Sequence, residues 1–294
     1  MVGQAVVRMM PDGRRLHLQH GPIDLICLAE GPDIEVYKAY QQADRYFETL
    51  LQGLVNDLPI LRQKAGEEGR WIKAPNICAV SENMIKAAEQ FSHSYFVTPM
   101  AGVAGAVADA VLTEMCRETN LAKAYVNNGG DIAFSLSPGK VFKTVIVDNP
   151  DNPRCDAEIE ITNSQPVRGI ATSGWRGRSL SMGIADAVTV LARNAVDADI
   201  AATLIAGDVY VADNAVLQRP AEEIDASTDL GRRLVTVDVK TLSPQARREA
   251  LMKGMRTANV FMSKGVISGA YLSLQGEVKS VSMSKRIFRE RLHV

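Results

Sequence analysis

The run Val126-Asn127-Asn128-Gly129-Gly130-Asp131-Ile132 places two adjacent glycines directly before one carboxylate, between segments that read as strands. Glycine has no Cβ, so the pair permits positive φ and lets a ligand come close to the backbone. Asp131 then stands where backbone N–H groups are expected to be bare, a place suited to a phosphate, a ribose or a metal ion. The same letters also spell a hairpin turn or glycine bulge with a solvated aspartate, because Asn-Gly is a strong turn signal. Two further segments suit related chemistry. Ala171-Thr172-Ser173-Gly174 is a small loop rich in hydroxyls and carbonyls, and Ala198-Asp199-Ile200-Ala201-Ala202-Thr203 reads as helix. Residues four apart on a helix share a face, with Cβ atoms about 6 Å apart. Asp199 and Thr203 therefore offer a carboxylate and a hydroxyl to one point. Those are hard oxygen ligands, matched to Mg²⁺ or Ca²⁺ rather than zinc. A backbone carbonyl from the Ala171 loop, water and a ligand phosphate would complete such a site. The alternatives are structural: Asp199 suits the capping of its own helix N-terminus, and Thr203 can bond back to its own helix.

Other side chains carry less. The four histidines, His17, His20, His93 and His293, have no metal-ligand spacing. Tyr95, Trp71 and Trp175 have rings that can stack on a flat ligand and serve equally well as core or rim. Met252, Met255 and Met262 read as an adaptable packing face. Ser173-Gly174 lacks the G-x-S-x-G context of a hydrolase nucleophile. With 33 basic and 34 acidic side chains the net charge is −1, so no basic field draws in nucleic acid. The C-terminal Lys285-Arg286-Ile287-Phe288-Arg289-Glu290-Arg291 reads as a surface strand or tail. Cys27, Cys78, Cys116 and Cys155 are scattered without a C-x-x-C pair, the usage of a reduced compartment. No signal-peptide pattern is expected at the N-terminus, and the small-apolar run 99–108 is interrupted by Asp109 and reads as too short to cross a bilayer. The expectation is a cytoplasmic protein without a membrane partner.

The elements that must position these groups are legible in outline. Strands are expected at 5–9 and 15–19, around the turn Pro11-Asp12-Gly13, and a strand or short helix at 24–28. A long helix capped by Asp33 carries Tyr37, Tyr40, Phe47, Leu50, Leu51, Leu54 and Leu58 at helical spacing and stops or kinks near Pro59. A polar loop is expected over 63–69. A helix over 99–118 is built of small residues, Ala101, Gly102, Ala104, Gly105, Ala106 and Ala108, which let another backbone or a flat ligand approach. Strands follow at 124–127, 132–136, 141–147 and 157–161, a strand and loop at 169–174, and a strand at 187–191. Next come a helix over 196–205, a strand at 234–239, a helix over 245–263 and strands within 270–281. The order has no regular βαβ rhythm, so the fold class is α+β, in a single domain spanning 1–294. Hydrophobic residues at 46% and charged residues at 23% suit such a core.

The three polar segments, in this order, resemble the ApbE family, whose best-known members are FAD:protein FMN transferases. The pattern "vN.GGDi", "atSG", "AD.laT" reads here as 126–132, 171–174 and 198–203. Ala104-Gly105-Ala106-Val107-Ala108-Asp109 is similar to that family's "KGyavD" helix start, which contacts flavin nucleotide. The likeness is firm over 99–206 and looser in the flanks. It implies an ApbE-like domain in which Asp199, Thr203 and the Ala171 carbonyl hold a divalent metal. Asn128, Gly129, Gly130, Asp131, Gly105, Thr172 and Ser173 would line a nucleotide site, with Asp131 and Asp199 as the catalytic carboxylates. In those relatives Mg²⁺ sits at the FAD pyrophosphate, and FMN passes to a threonine or serine of a target protein while AMP leaves.

Two departures bear on activity. Ala104 stands where the family has lysine. The long "H.iDP.tG.p" segment is replaced by Trp175-Arg176-Gly177-Arg178-Ser179-Leu180-Ser181-Met182-Gly183-Ile184-Ala185-Asp186, which contains no histidine. Arg176 and Arg178 are the residues there that could grip a phosphate. The leading expectation is Mg²⁺-assisted binding or transfer of a flavin or another nucleotide-like phosphate ester, with a protein acceptor or a metabolic enzyme as partner. The rivals are a non-catalytic cofactor-binding or docking module, and a structural subunit or homo-oligomer using the small-residue helix as an interface.

Overall fold

The computed structural model describes residues 3–66, 77–149, 152–284 and 287–290. Trp71, Lys285, Arg286, Arg291, His293 and the expected polar loop beyond residue 66 lie outside them. In chain order the elements are β1 (Val6–Met9), β2 (Leu16–His20), β3 (Ile23–Glu30), α1 (Asp33–Leu61), α2 (Ala79–Ser92), α3 (Val103–Cys116), β4 (Lys123–Asn128), β5 (Asp131–Leu136), β6 (Val141–Ile146), β7 (Ala157–Thr162) and β8 (Gly169–Ser173). They continue with β9 (Ala187–Ala192), α4 (Ala195–Asp208), β10 (Val216–Pro220), α5 (Ala221–Ile224), β11 (Leu234–Val239), α6 (Pro244–Ser263), β12 (Ile267–Leu274), β13 (Glu277–Ser282) and β14 (Phe288–Glu290). The α+β class expected from the sequence is the one that forms. The segment at 24–28 is strand, and α2 is a helix beyond those expected from the sequence.

The residues fall into two compact units, and β8 and α4 each contribute residues to both. The first comprises Met1–Val141, Thr162–Ile170 and Asn194–Asp199. In it β1 to β5 form consecutive antiparallel pairs, and Ile132 and Ala133 of β5 pair with Ile170 and Gly169 of β8. Strand β3 alternates buried and half-buried residues along its length, the pattern of a sheet with one face on a core. Against that sheet α1 turns Ala39, Ala43, Phe47, Leu50, Leu51, Leu54 and Leu61, a stripe at helical spacing. Tyr37, expected in that stripe, is 65% exposed. Pro32, not Asp33, occupies the N-cap, and Pro59 is accommodated inside the last turns of the helix.

Helix α3 follows a 3₁₀ turn at Pro99–Gly102 and packs on α1, β4 and β5. The helix extends the small-apolar run 99–108 to Cys116, and the whole stretch Pro99–Cys116 is long and apolar enough to cross a membrane by length and composition alone. Half of it is buried inside the fold, and that packing accounts for its apolar character. Its small residues admit another backbone. A Cβ on Gly105 would lie 2.3 Å from the Ala195 carbonyl oxygen, and one on Gly169 would lie 2.0 Å from the Asn194 carbonyl. The start of α4 is thus seated against two glycines.

The second unit holds Phe142–Ile161, Ala171–Arg193 and Ile200–Val294. Strands β9 and β13 flank β12 in antiparallel register, with every residue of β9 and β12 buried. Helix α6 packs on β12 and β13 and is capped by Ser243, whose hydroxyl accepts the Ala246 N–H. Of the three methionines on this helix Met252 is exposed, and Met255 and Met262 are half-buried. A third sheet runs in the order β14-β7-β6, and β10 pairs with β11.

Asp148, just past β6, accepts hydrogen bonds from Tyr271 and Ser273, while its Oδ1 is buried with no hydrogen-bond partner among the described residues. Burial, with smaller contributions from the Asp156 and Asp186 charges, pushes its pKa up to about 6.

Two outcomes follow from this packing. Gly105→Ala should cost about 3 kcal/mol in urea unfolding, because backbone must move. Gly130→Ala, where a Cβ meets open space but φ is +117°, should cost about 1 kcal/mol. Equal costs would show that the close approach of α3 and α4 is not what Gly105 provides. For Asp148, the unfolded chain releases its proton near pH 4 and the folded protein near pH 6. Stability should therefore fall as pH rises through that window. Asp148→Asn should remove about 1–2 kcal/mol of that fall, after discounting the partly solvated side of the group. Identical pH profiles for the two proteins would refute the assignment.

Candidate functional site

The candidate site in the first unit is built from the β4–β5 hairpin and the first turns of α3 and α4. The hairpin closes with Asn128 opposite Asp131, leaving only Gly129 and Gly130 between the strands. Their φ angles, +66° and +117°, are those of a primed two-residue turn, whose twist matches the flanking strands. The turn reading of the motif is therefore realised, and Gly130 is required for its backbone conformation. The N–H groups here are not all bare: the Gly130 N–H donates to Asn127 Oδ1 at 2.8 Å. Asn128 is buried, and its Nδ2 donates to the Ala104 carbonyl at 3.1 Å. That bond ties the hairpin to the start of α3 and sets half-buried Asp131 near Asp199.

Asp199 accepts the Gly105 N–H on Oδ2 at 3.0 Å and is also bonded by the Ala104 N–H. It caps α3, not its own helix, which corrects the structural alternative drawn from the sequence. The N-terminus of α4 is capped instead by Asp109 and Asn194. Ala195 N–H donates to Asp109 Oδ1 at 3.0 Å, Val196 N–H to Asp109 Oδ2 at 2.9 Å, and Asp197 N–H to Asn194 Oδ1 at 2.8 Å. Asp109 was legible in the sequence only as an interruption of an apolar run; its partners lie 86 and 87 residues away.

The electrostatics follow from this enclosure. Burial first, and the Asp131 charge second, raise the Asp199 pKa well above the carboxylate range, against the opposing pull of the Gly105 and Ala104 N–H groups. Asp199 retains some exposed surface, which tempers the size of that rise and leaves its direction unchanged. Asp109 is raised to about 6, chiefly by burial, while its two helix N–H donors work the other way. Two carboxylates brought together in a poorly solvated place repel, and a shared proton or a hard cation relieves the repulsion. Among the described residues no group of three or more His, Cys, Asp or Glu side chains is placed to hold a metal. A cation at Asp199 would therefore draw on hydroxyl, carbonyl, water and ligand oxygens. Thr203 follows Asp199 by one turn on α4 and is half-buried.

The remaining expected residues lie in the second unit. Ala171 is buried in β8, the Thr172 hydroxyl is 2.8 Å from that of Thr189, and Ser173 is half-buried at the strand end. Arg176 stacks on the Trp175 ring at 4.5 Å and donates from Nε to Asp186 Oδ1 at 2.8 Å. Trp175 Nε1 donates to the same oxygen at 3.3 Å, and the Gln275 N–H donates to Asp186 Oδ2 at 2.5 Å. Asp186 is thus the organiser of the loop 175–186. Its isolated position between alanines gave no sequence signal. Arg178 is exposed.

The fold is similar to that of the ApbE protein from Thermotoga maritima, with a TM-score of 0.51 and 11% identity over 99% of this chain and 100% of that one. UPF0280 proteins of methanogenic archaea are similar in sequence. That of Methanopyrus kandleri is 38% identical over 51% of this chain and 57% of its own length. That of Methanococcus vannielii is 30% identical over 53% of this chain and 60% of its own length. The chain thus spans about three-fifths of the relatives it matches. The sequence family described as AbpE bacteria matches residues 7–280. The chain belongs to that family, a divergent ApbE-like group.

Proposed function

We propose that this protein binds a flavin or another nucleotide-like phosphate ester together with Mg²⁺, at the carboxylate pair Asp131 and Asp199. The observation that carries the reading is that pair: Asp199 is enclosed, and its strongest charged neighbour is a second carboxylate. The donor chemistry suits a hard divalent cation, with Asp199 and Thr203, one turn apart on α4, as side-chain ligands and carbonyl, water and phosphate oxygens as the others. When bound, Mg²⁺ would neutralise charge on a phosphate leaving group. The chain's own residues do the rest. The Gly129-Gly130 turn keeps side chains away from the hairpin tip, Asn128 fastens that tip to α3, and the N–H groups of Ala104 and Gly105 hold the Asp199 carboxylate in one orientation. Because the histidine segment of the transferases is replaced by a loop organised on Asp186, binding is the core of the proposal, and FMN transfer is its more specialised form.

A second reading is favoured by a different observation. Asp199 caps α3, a task it performs with or without a ligand. On that reading the chain is a non-catalytic cofactor-binding or docking module, and Asp199 is kept for the fold.

Calorimetric titration with FAD, FMN, ATP and AMP, each with and without Mg²⁺, separates the two. Asp199→Asn retains one oxygen for the Gly105 N–H and removes the charge. The variant should stay folded, losing about 1 kcal/mol of stability. Its Mg²⁺-dependent affinity should fall at least about tenfold, or about 1.4 kcal/mol. Binding by the wild type that ignores both Mg²⁺ and this substitution would leave the module reading. No binding of any nucleotide would overturn the proposal.

A further inference from the structure

We infer that Asp109 is a positioning residue for Asp199, acting through the N-terminus of α4; its value for ligand binding rests on the proposed function, but its structural claim does not. The two helices exchange carboxylates. Asp199, in the second turn of α4, receives the N–H groups of Ala104 and Gly105 in the first turn of α3. Asp109, in the second turn of α3, receives those of Ala195 and Val196 in the first turn of α4, on separate oxygens. A helix start leaves four N–H groups without an intrahelical partner. At α4, Asp109 takes two of them and Asn194 the third. The Ala198 N–H meets the Asn194 carbonyl at 3.4 Å, the first bond of the helix itself. The first three N–H groups of α4 are thus taken by side chains of the fold, and the contribution of this helix end to a site is the placing of Asp199, one turn further on.

The tolerance of the arrangement is small. Gly105, which donates to Asp199, has its missing Cβ against the Ala195 carbonyl, and Ala195 donates to Asp109. One backbone contact therefore sits between the two exchanged carboxylates. If Asp109 lets go, the first turn of α4 is free to shift along α3, and the Asp199 oxygens leave the Ala104 and Gly105 N–H groups.

Amide hydrogen exchange on the ligand-free protein reads this directly. In Asp109→Ala the amides of Ala104 and Gly105 should exchange at least about tenfold faster, although neither is bonded to Asp109. The buried α3 residues Val111 and Met115 report general loss of stability and should be accelerated much less. Asp109→Asn, which keeps one acceptor oxygen, should fall between the wild type and Asp109→Ala. Unchanged exchange at Ala104 and Gly105, or acceleration no greater than at Val111 and Met115, would overturn the inference. The functional arm is the affinity for FAD with Mg²⁺, expected to fall about tenfold in folded Asp109→Asn. If the wild type binds no nucleotide, the proposed function fails, while the exchange data still decide the role of Asp109.

Discussion

Two helices begin beside one another in the first unit, and each begins on a carboxylate supplied by the other. Helix starts repel one another, because each carries partial positive charge on its unbonded N–H groups. Packing α3 against α4 at their N-termini therefore requires negative charge between them, and Asp109 and Asp199 provide it. The cost appears on the acids. Both are pushed towards the protonated form by burial, and only the N–H groups they cap oppose that push. The small-residue character of α3 belongs to the same constraint, since only glycine at 105 admits the Ala195 carbonyl.

Asp131 adds strain to this balance instead of relieving it. The hairpin that carries it is pinned by the Asn128 amide to the Ala104 carbonyl, one residue before the N–H that Asp199 accepts. A carboxylate is thus held beside another that already resists ionisation. Buried carboxylates that serve only as caps gain nothing from such a neighbour, which raises their desolvation cost. Local electrostatic conflict of this kind is expected where a ligand or cation completes the balance.

Much of this was legible in the sequence, and the illegible part has a common cause. The strands β4, β5, β7, β9 and β11 and the helices α1, α4 and α6 follow from apolar spacing and turn residues, because those signals are local. Helix α2 carries the same kind of local signal, with Val80, Met84, Ile85, Ala88 and Phe91 at helical spacing. The order of the Gly-Gly-Asp, Thr-Ser-Gly and Asp-Thr segments was enough to indicate the family. What sequence spacing did not reveal is which backbone each aspartate meets. Asp199 looked like a cap for its own helix because local rules offer no other partner, and Asp109 looked like a blemish in an apolar run. Both are joined to residues more than 80 positions away.

The loop 175–186 makes the same point for the second unit. Two arginines in a glycine-containing loop suggested a grip on phosphate. Arg176 is instead packed flat on Trp175 and bonded to Asp186, which also receives the Trp175 indole and the Gln275 backbone. A half-buried guanidinium already paired with a carboxylate must break that pair to bind an anion, and the carboxylate it leaves would stay buried among fewer donors. The loop is therefore built around Asp186, and its half-buried arginine is committed to that carboxylate.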